Sequence, residues 1–165
     1  QRRRIERKRC AVIGLCGAQG SGKSTIARYA AQLLRDRGLE AVSLSLDDFY
    51  LTHDARQRLA KEIHALLATR GPPGTHDVGM AGATIDALRA KGKATLPRFD
   101  KAADTRAPRN TWETVATPVD VILLEGWCVG AVAQGEAALA TLVNVLEREE
   151  DPDGIWRHYV NDQPD

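Results

Sequence analysis

The chain has 165 residues, of which 43% are hydrophobic and 27% charged, a balance that excludes disorder over the whole length and leaves room for one domain rather than two large ones. Its 23 Lys and Arg stand against 22 Asp and Glu, a formal net charge of +1, so overall charge does not draw it to nucleic acid or to an anionic membrane. Its apolar runs are far too short to span a bilayer, and 3 Cys with no Cys-x-x-Cys pair fit a reducing cytoplasm rather than a disulfide framework or a structural zinc site.

Residues Gln1 to Cys10 are strongly basic and lack the apolar core of a secretion signal. They read as a solvated lead-in; a nucleic-acid-binding arm is disfavoured because the rest of the chain does not extend the patch. Ala11 to Leu15 is apolar, partly β-branched and followed by glycines, which predicts a fully buried parallel strand. Ile26, Ala30, Leu33 and Leu34 recur at helical spacing, with Gly38 where a helix ends. Ala41 to Leu46 alternates and runs into Asp47 and Asp48, a second strand. A strand, helix and strand in succession imply a parallel sheet and an α/β fold.

Leu59, Ile63, Leu66 and Leu67 predict an amphipathic helix from near Asp54. The Gly71 to Gly74 segment, with two prolines, is a loop. A shorter helix is expected from Ala81 to Ala90, then a small strand at Ala94 to Leu96, then irregular chain from Asp100 to Thr114. Val119 to Leu124 is the most strand-like run and belongs at the sheet centre. Weaker helical patterns follow through Leu139, Leu142, Val143 and Leu146, and again from Gly154 to Val160.

Gly17 to Ser24 fits G-x-x-x-x-G-K-[ST], lying after a strand and opening a helix. Gly17, Ala18, Gln19, Gly20, Ser21 and Gly22 would turn backbone N–H groups onto a phosphate. The helix start adds unpaired N–H groups and its positive dipole end. Lys23 brings a charge for the β- and γ-phosphates, Ser24 a hydroxyl for Mg²⁺, and Thr25 assists from behind. Ligands of parallel sheets gather beyond the strand C-termini, so Asp47, Asp48 and Glu125 should meet there. A carboxylate at that point can deprotonate an attacking hydroxyl or hold Mg²⁺. Asp48 reads equally well as a cap. No Asn-Lys-x-Asp motif supports a switch GTPase.

Five segments together are familiar: Gly17-Ala-Gln-Gly-Ser-Gly-Lys-Ser-Thr25, Leu44-Ser-Leu-Asp-Asp-Phe-Tyr-Leu-Thr52, Arg70-Gly-Pro-Pro-Gly-Thr-His-Asp77, Leu96-Pro-Arg-Phe-Asp-Lys101 and Leu124-Glu-Gly-Trp-Cys-Val-Gly130. In order and spacing, from about Ala11 to about Asn161, they resemble the P-loop glycerate 3-kinases of plants, yeast and bacteria. That family sits within the phosphoribulokinase, uridine kinase and pantothenate kinase superfamily. The phosphate loop is generic, whereas the other motifs are more specific. The resemblance implies a P-loop-type three-layer α/β fold over residues 11–165 and ATP- and Mg²⁺-dependent phosphorylation of D-glycerate to 3-phosphoglycerate. It implies Lys23, Asp47 and Glu125 in catalysis, with Asp47 the base. Ser24, Glu125 and Asp47 would be the metal-side residues.

A glycerate carboxylate calls for a cation, ideally a bidentate Arg, and the candidates are Arg70, Arg98, Lys101 and Arg106. His76 and Asp77 could bond substrate hydroxyls or simply build their loop. Tyr50 and Trp127 could wall the pocket or simply pack, and Asp48 joins the substrate candidates. Arg56 and Arg58 read as exposed helix charges, and Cys16 and Cys128 as small packing residues. His53, His64 and His158 have no metal-ligand spacing. In the resembling proteins the stretch like Trp156 to Asn161 continues into a longer helix, a further strand and an Arg-bearing lid. Asp162 to Asp165 does not look like that continuation, so the expectation is a C-terminally truncated kinase domain. The chain is expected to be a cytoplasmic monomer without nucleic-acid or membrane partners. The alternatives are a kinase for another alcohol, such as a nucleoside, pantothenate or a sugar acid, or a silent ATP-binding module.

Overall fold

A computed structural model describes residues 10–163; the basic lead-in lies outside them except for Cys10. Strand β1 (Ala11–Cys16) leads through the Gly-rich loop into helix α1 (Lys23–Arg35) and strand β2 (Ala41–Ser45). A 3-10 turn at Leu46–Phe49 carries both aspartates, and α2 (His53–Glu62) follows. The expected longer helix stops at Glu62; Leu66 and Leu67 fall in a separate 3-10 turn (Ala65–Ala68), where the His64 ring accepts from the Leu66 N–H at 3.3 Å. Next come α3 (Val78–Arg89), β3 (Gly92–Leu96), the short strands β4 (Phe99–Asp100) and β5 (Thr105–Arg106), β6 (Glu113–Thr117) and β7 (Val121–Gly126). Three short helices close the described chain: α4 (Glu136–Leu139), α5 (Val145–Glu150) and α6 (Ile155–Asn161).

β1, β7 and β2 form a parallel sheet in that order, so β7 is central, as its apolar run predicts. Ala11 and Ala41 both pair with Val121, and Leu15 and Ser45 both flank Glu125. On one face Ala27 and Ala31 of α1 pack against Ala41, Val121 and Leu123. Two alanines on the inner stripe let the helix approach the sheet closely. The other face carries the larger core, with Val42, Leu44, Ile122, Phe49, Leu88, Ala94, Leu96 and Val119. Helix, sheet and opposing helix with its β3–β6 hairpin give the three layers expected of an α/β fold.

Three further sequence expectations change. β1 is an edge strand with Val12 39% and Ile13 48% exposed, not a fully buried one. Its apolar sequence suits two covered faces, but among the described residues β7 is its one strand neighbour. The segment read as irregular holds most of a two-strand hairpin, β4–β5, and the first two residues of β6, which pairs antiparallel with β3. Arg56 is 1% exposed, so it is an interior cation rather than a surface helix charge.

Candidate active site

The parallel register explains why distant residues meet. Glu125 sits between the C-terminal ends of β1 and β2, and Asp47 follows β2 by two residues. All three strands therefore deliver polar groups to one edge of the sheet, where the Gly-rich loop turns. Glu125 is 3% exposed and accepts a hydrogen bond from Ser24 Oγ at 2.7 Å. Gly126 makes that placement possible: a Cβ there would lie 2.7 Å from Leu46 Cβ and 2.9 Å from Val129 Cγ2.

The loop itself has the backbone that the motif requires. Gly20 and Gly22 take positive φ, 76° and 83°, which side chains resist. Gly22 caps α1 without a side-chain hydrogen bond, so the first helix N–H groups remain for a ligand. Lys23 Nζ folds back onto the Ala18 carbonyl at 3.3 Å. A neutral backbone acceptor is a partner that a phosphate readily replaces. The residues fit a triphosphate and its Mg²⁺: a glycine-lined cradle, one lysine, and a Ser–carboxylate pair at the helix start. Among the described residues no group of three or more His, Cys, Asp or Glu is placed to hold a metal ion.

A cleft of about 840 Å³ runs from Ser24, Asp47 and Glu125 outward past Asp48, Arg98 and Lys101. Asp47 accepts from Lys101 Nζ at 2.5 Å. Asp48 accepts from Arg98 Nη1 and from the Phe99 N–H, both at 3.1 Å. Burial raises the Asp48 pKa despite those bonds. It thus ties the 3-10 turn to β4, a local structural task that its spacing alone could not distinguish from substrate binding.

Behind Asp47 lies an aromatic wall. Tyr50 stacks on His76 at 4.4 Å and meets Phe99 edge-on at 5.6 Å. Burial first, then the charge and hydrogen bonding of Asp47, push the Tyr50 hydroxyl well above its usual range, so it stays a proton donor. Burial lowers the His76 pKa to about 4, keeping the ring neutral. Its Nε2 is buried with no partner, as is Arg106 Nε. Asp77 lies between these two residues. One of its oxygens caps α3 at the Met80 N–H and the other accepts from Arg106 Nη2. His76 borders not the cleft of Asp47 but a second, more apolar cavity of about 950 Å³ that includes Trp127, Cys128 and Trp156.

Trp127 is 46% exposed, and its indole N–H donates to the Gly71 carbonyl at 2.8 Å, stapling the loop after β7 to the Gly/Pro loop. Cys16 is exposed rather than packed, and its thiol donates to the Trp127 carbonyl. Arg70 donates through Nη1 to Asp104 at 2.6 Å and to the Lys101 carbonyl at 3.2 Å. Sequence reasoning missed Asp104, which has φ 53° and accepts from Arg56, Arg70 and His53. A lone aspartate in a polar stretch gives no signal of that role.

Residues 12–147 match the phosphoribulokinase / uridine kinase family. The chain belongs to that family. It is 37% identical over 129 residues to the chloroplastic D-glycerate 3-kinase of Arabidopsis thaliana, covering 72% of this chain and 28% of that protein. The solved structure of the YGR205w protein superposes with a TM-score of 0.74 at 28% identity, over 95% of this chain and 57% of that one. The D-glycerate 3-kinase of Cryptococcus neoformans superposes with a TM-score of 0.68 at 32% identity, over 79% of this chain and 47% of that one. The chain thus spans between about a quarter and three fifths of the length of these relatives. The glycerate-kinase-like motifs and the parallel three-layer fold agree with these matches. No helix among the described residues is long and apolar enough to cross a membrane.

Proposed function

We propose that this chain transfers the γ-phosphoryl group of ATP to a hydroxyl of a small hydroxy acid, D-glycerate, giving 3-phosphoglycerate and ADP. The observation that carries the reading is the meeting of Ser24 and Glu125 beside Asp47 at the mouth of the Gly-rich loop. The printed names of the plant and fungal relatives support D-glycerate as the acceptor.

In this reading the loop N–H groups and Lys23 bind the β- and γ-phosphates and withdraw charge from the phosphoryl in flight. Ser24 and Glu125 would hold Mg²⁺, with Asp47 at its side, and the ion supplies charge neutralisation when bound. Asp47, oriented by Lys101, takes the proton of the attacking hydroxyl. One O–P bond forms to the acceptor oxygen, the bond between the γ-phosphorus and the β-bridging oxygen breaks, and ADP leaves with that electron pair. Arg98 and Lys101 line the cleft already paired with Asp48 and Asp47, so discrimination between an acid and an uncharged nucleoside needs a cation with charge to spare.

The test is ADP release with Mg-ATP and D-glycerate, beside uridine and pantothenate, with Lys23→Ala as blank. Turnover with D-glycerate above the blank is expected, with triphosphate binding or turnover lost in Lys23→Ala. Turnover confined to uridine would assign another acceptor. Wild-type rate and affinity in Lys23→Ala would remove the phosphate-loop assignment.

A further inference from the structure

Four cations could read an acceptor carboxylate, and the structure separates them by what already holds them. Lys101 is on Asp47, Arg106 on Asp77, and Arg98 on Asp48 with Glu113 at 3.6 Å. In each of these groups the acidic charge equals or exceeds the basic charge. The fourth group differs. Asp104 alone faces two guanidinium groups, Arg56 at 2.5 Å and Arg70 at 2.6 Å, with His53 Nδ1 at 2.9 Å. One carboxylate between two permanent cations leaves an excess positive charge. The His53 hydrogen bond, then the Arg56 and Arg70 charges, hold the Asp104 pKa below its usual range.

The two arginines are not equivalent. Arg56 is 1% exposed and fully committed: Nε to the Ala68 carbonyl, Nη1 to the Leu51 carbonyl and Nη2 to Asp104. Arg70 is bonded through Nη1 alone, and its side chain is 30% exposed. Its Nε and Nη2 make no hydrogen bond among the described residues, and its guanidinium lies 5.6 Å from the Phe99 ring centroid. Its charge also acts on the Tyr50 hydroxyl, which in turn faces Asp47. The same Phe99 ring meets Tyr50 at 5.6 Å, so a cation with an open edge stands across the aromatic wall from the proposed base.

We infer that Arg70 binds the acceptor's carboxylate and that Asp104, braced by buried Arg56 at the β4–β5 turn, is the positioning residue that aims it. The inference rests on the kinase reading above and deepens it: the site selects an acid over a neutral alcohol of the same size. Arg56 supplies the rigidity: two carbonyl acceptors fix its guanidinium, and its Nη2 holds Oδ2 of Asp104 while Arg70 bonds Oδ1.

The experiment compares steady-state constants for D-glycerate, pantothenate, glycerol and uridine in the full chain and in Arg70→Ala, Arg70→Lys and Asp104→Asn. Asparagine tolerates the positive φ at position 104, so that variant keeps the turn. Expected is a preference of the wild type for the acids and, in Arg70→Ala, a roughly 10- to 100-fold rise in KM for the acid, the size of a lost charge-assisted contact. KM for ATP stays put, and added guanidinium ion restores part of the loss. Arg70→Lys recovers little, for want of the planar fork, and Asp104→Asn raises the same KM by less. An unchanged KM for D-glycerate in Arg70→Ala would overturn the inference while leaving the glycerate reading intact. Acid preference for pantothenate alone, lost in Arg70→Ala, would keep the inference and displace glycerate. Turnover of uridine alone, or of no acceptor, would overturn both.

Discussion

Burial keeps the His76 ring neutral by pulling its pKa from 6.5 to about 4. The unfolded chain takes up a proton near 6.5 that the folded chain refuses until about 4, so this contribution to stability is complete above 6.5 and lost as pH falls through that window. It amounts to roughly 3 kcal/mol at most. Urea unfolding at pH 7, 5 and 4 is expected to show that decline in the wild type and a flatter one in His76→Gln; equal slopes would place the acid sensitivity elsewhere. Asp47 makes a kinetic prediction at the same scale. Asp47→Asn removes the base but not the phosphate cradle, so kcat should fall by about 10²–10⁴ while KM for ATP moves only a few-fold. An undiminished kcat would assign the proton to another group.

At the scale of elements, β7 does two jobs. Its inner residues join the core, and its last two residues carry the site. Ile122 is 0% exposed between the two outer strands and faces Phe49, Leu88 and Leu96. Ile122→Ala should cost about 2–5 kcal/mol, through lost burial plus the cavity left behind, as read from denaturant midpoints. Gly126→Ala should act differently. Its added methyl would strike the Leu46 side chain that precedes Asp47, so phosphoryl transfer should fall further than a stability loss of about 1–3 kcal/mol explains. Folded Gly126→Ala protein with full activity would show that the Leu46 turn has slack. The β4–β5 hairpin has a comparable double role: Phe99 walls the site, while Lys101 and Asp104, from the turn between the strands, hold Asp47 and Arg70.

At the scale of the molecule, the last helices are fastened by one interior ion pair. Asp151 is 1% exposed; it accepts from the Trp156 and Arg157 N–H groups and from Arg157 Nη1, while Arg157 Nε donates to the Leu139 carbonyl. Three short helices, none stable alone, thus share one polar anchor, and Tyr159 of α6 lies against Gly74 of the Gly/Pro loop. Asp151→Ala strips the half-buried Arg157 of its carboxylate and two helix N–H groups of their acceptor, so a loss of about 1–3 kcal/mol is expected, seen as early release of this segment to protease. A protease pattern identical to wild type would mean that packing and the remaining polar contacts, such as Asn161 with Gln134, hold the helices without it.

How far the sequence reaches depends on the range of each interaction. The phosphate loop was legible because its parts are contiguous: a strand, positive-φ glycines, a lysine and a helix start lie within one short stretch. Asp47 and Glu125 were legible because parallel strands end at a common edge, a rule of topology that needs no coordinates. The central place of β7 followed from its unbroken apolar run. Tertiary structure alone decided the rest. The exposure of β1 depends on which neighbours cover it, and an apolar run does not name them. The burial of Arg56 depends on three acceptors, Leu51, Ala68 and Asp104, spread over the chain. Separating Arg70 from Arg98, Lys101 and Arg106 needed their ion partners, set by contacts across 29 to 54 positions. Side-chain types and local spacing set the chemistry available to this protein; which charge is left without its counterpart is a property of the folded whole, because charge balance is settled by neighbours in space.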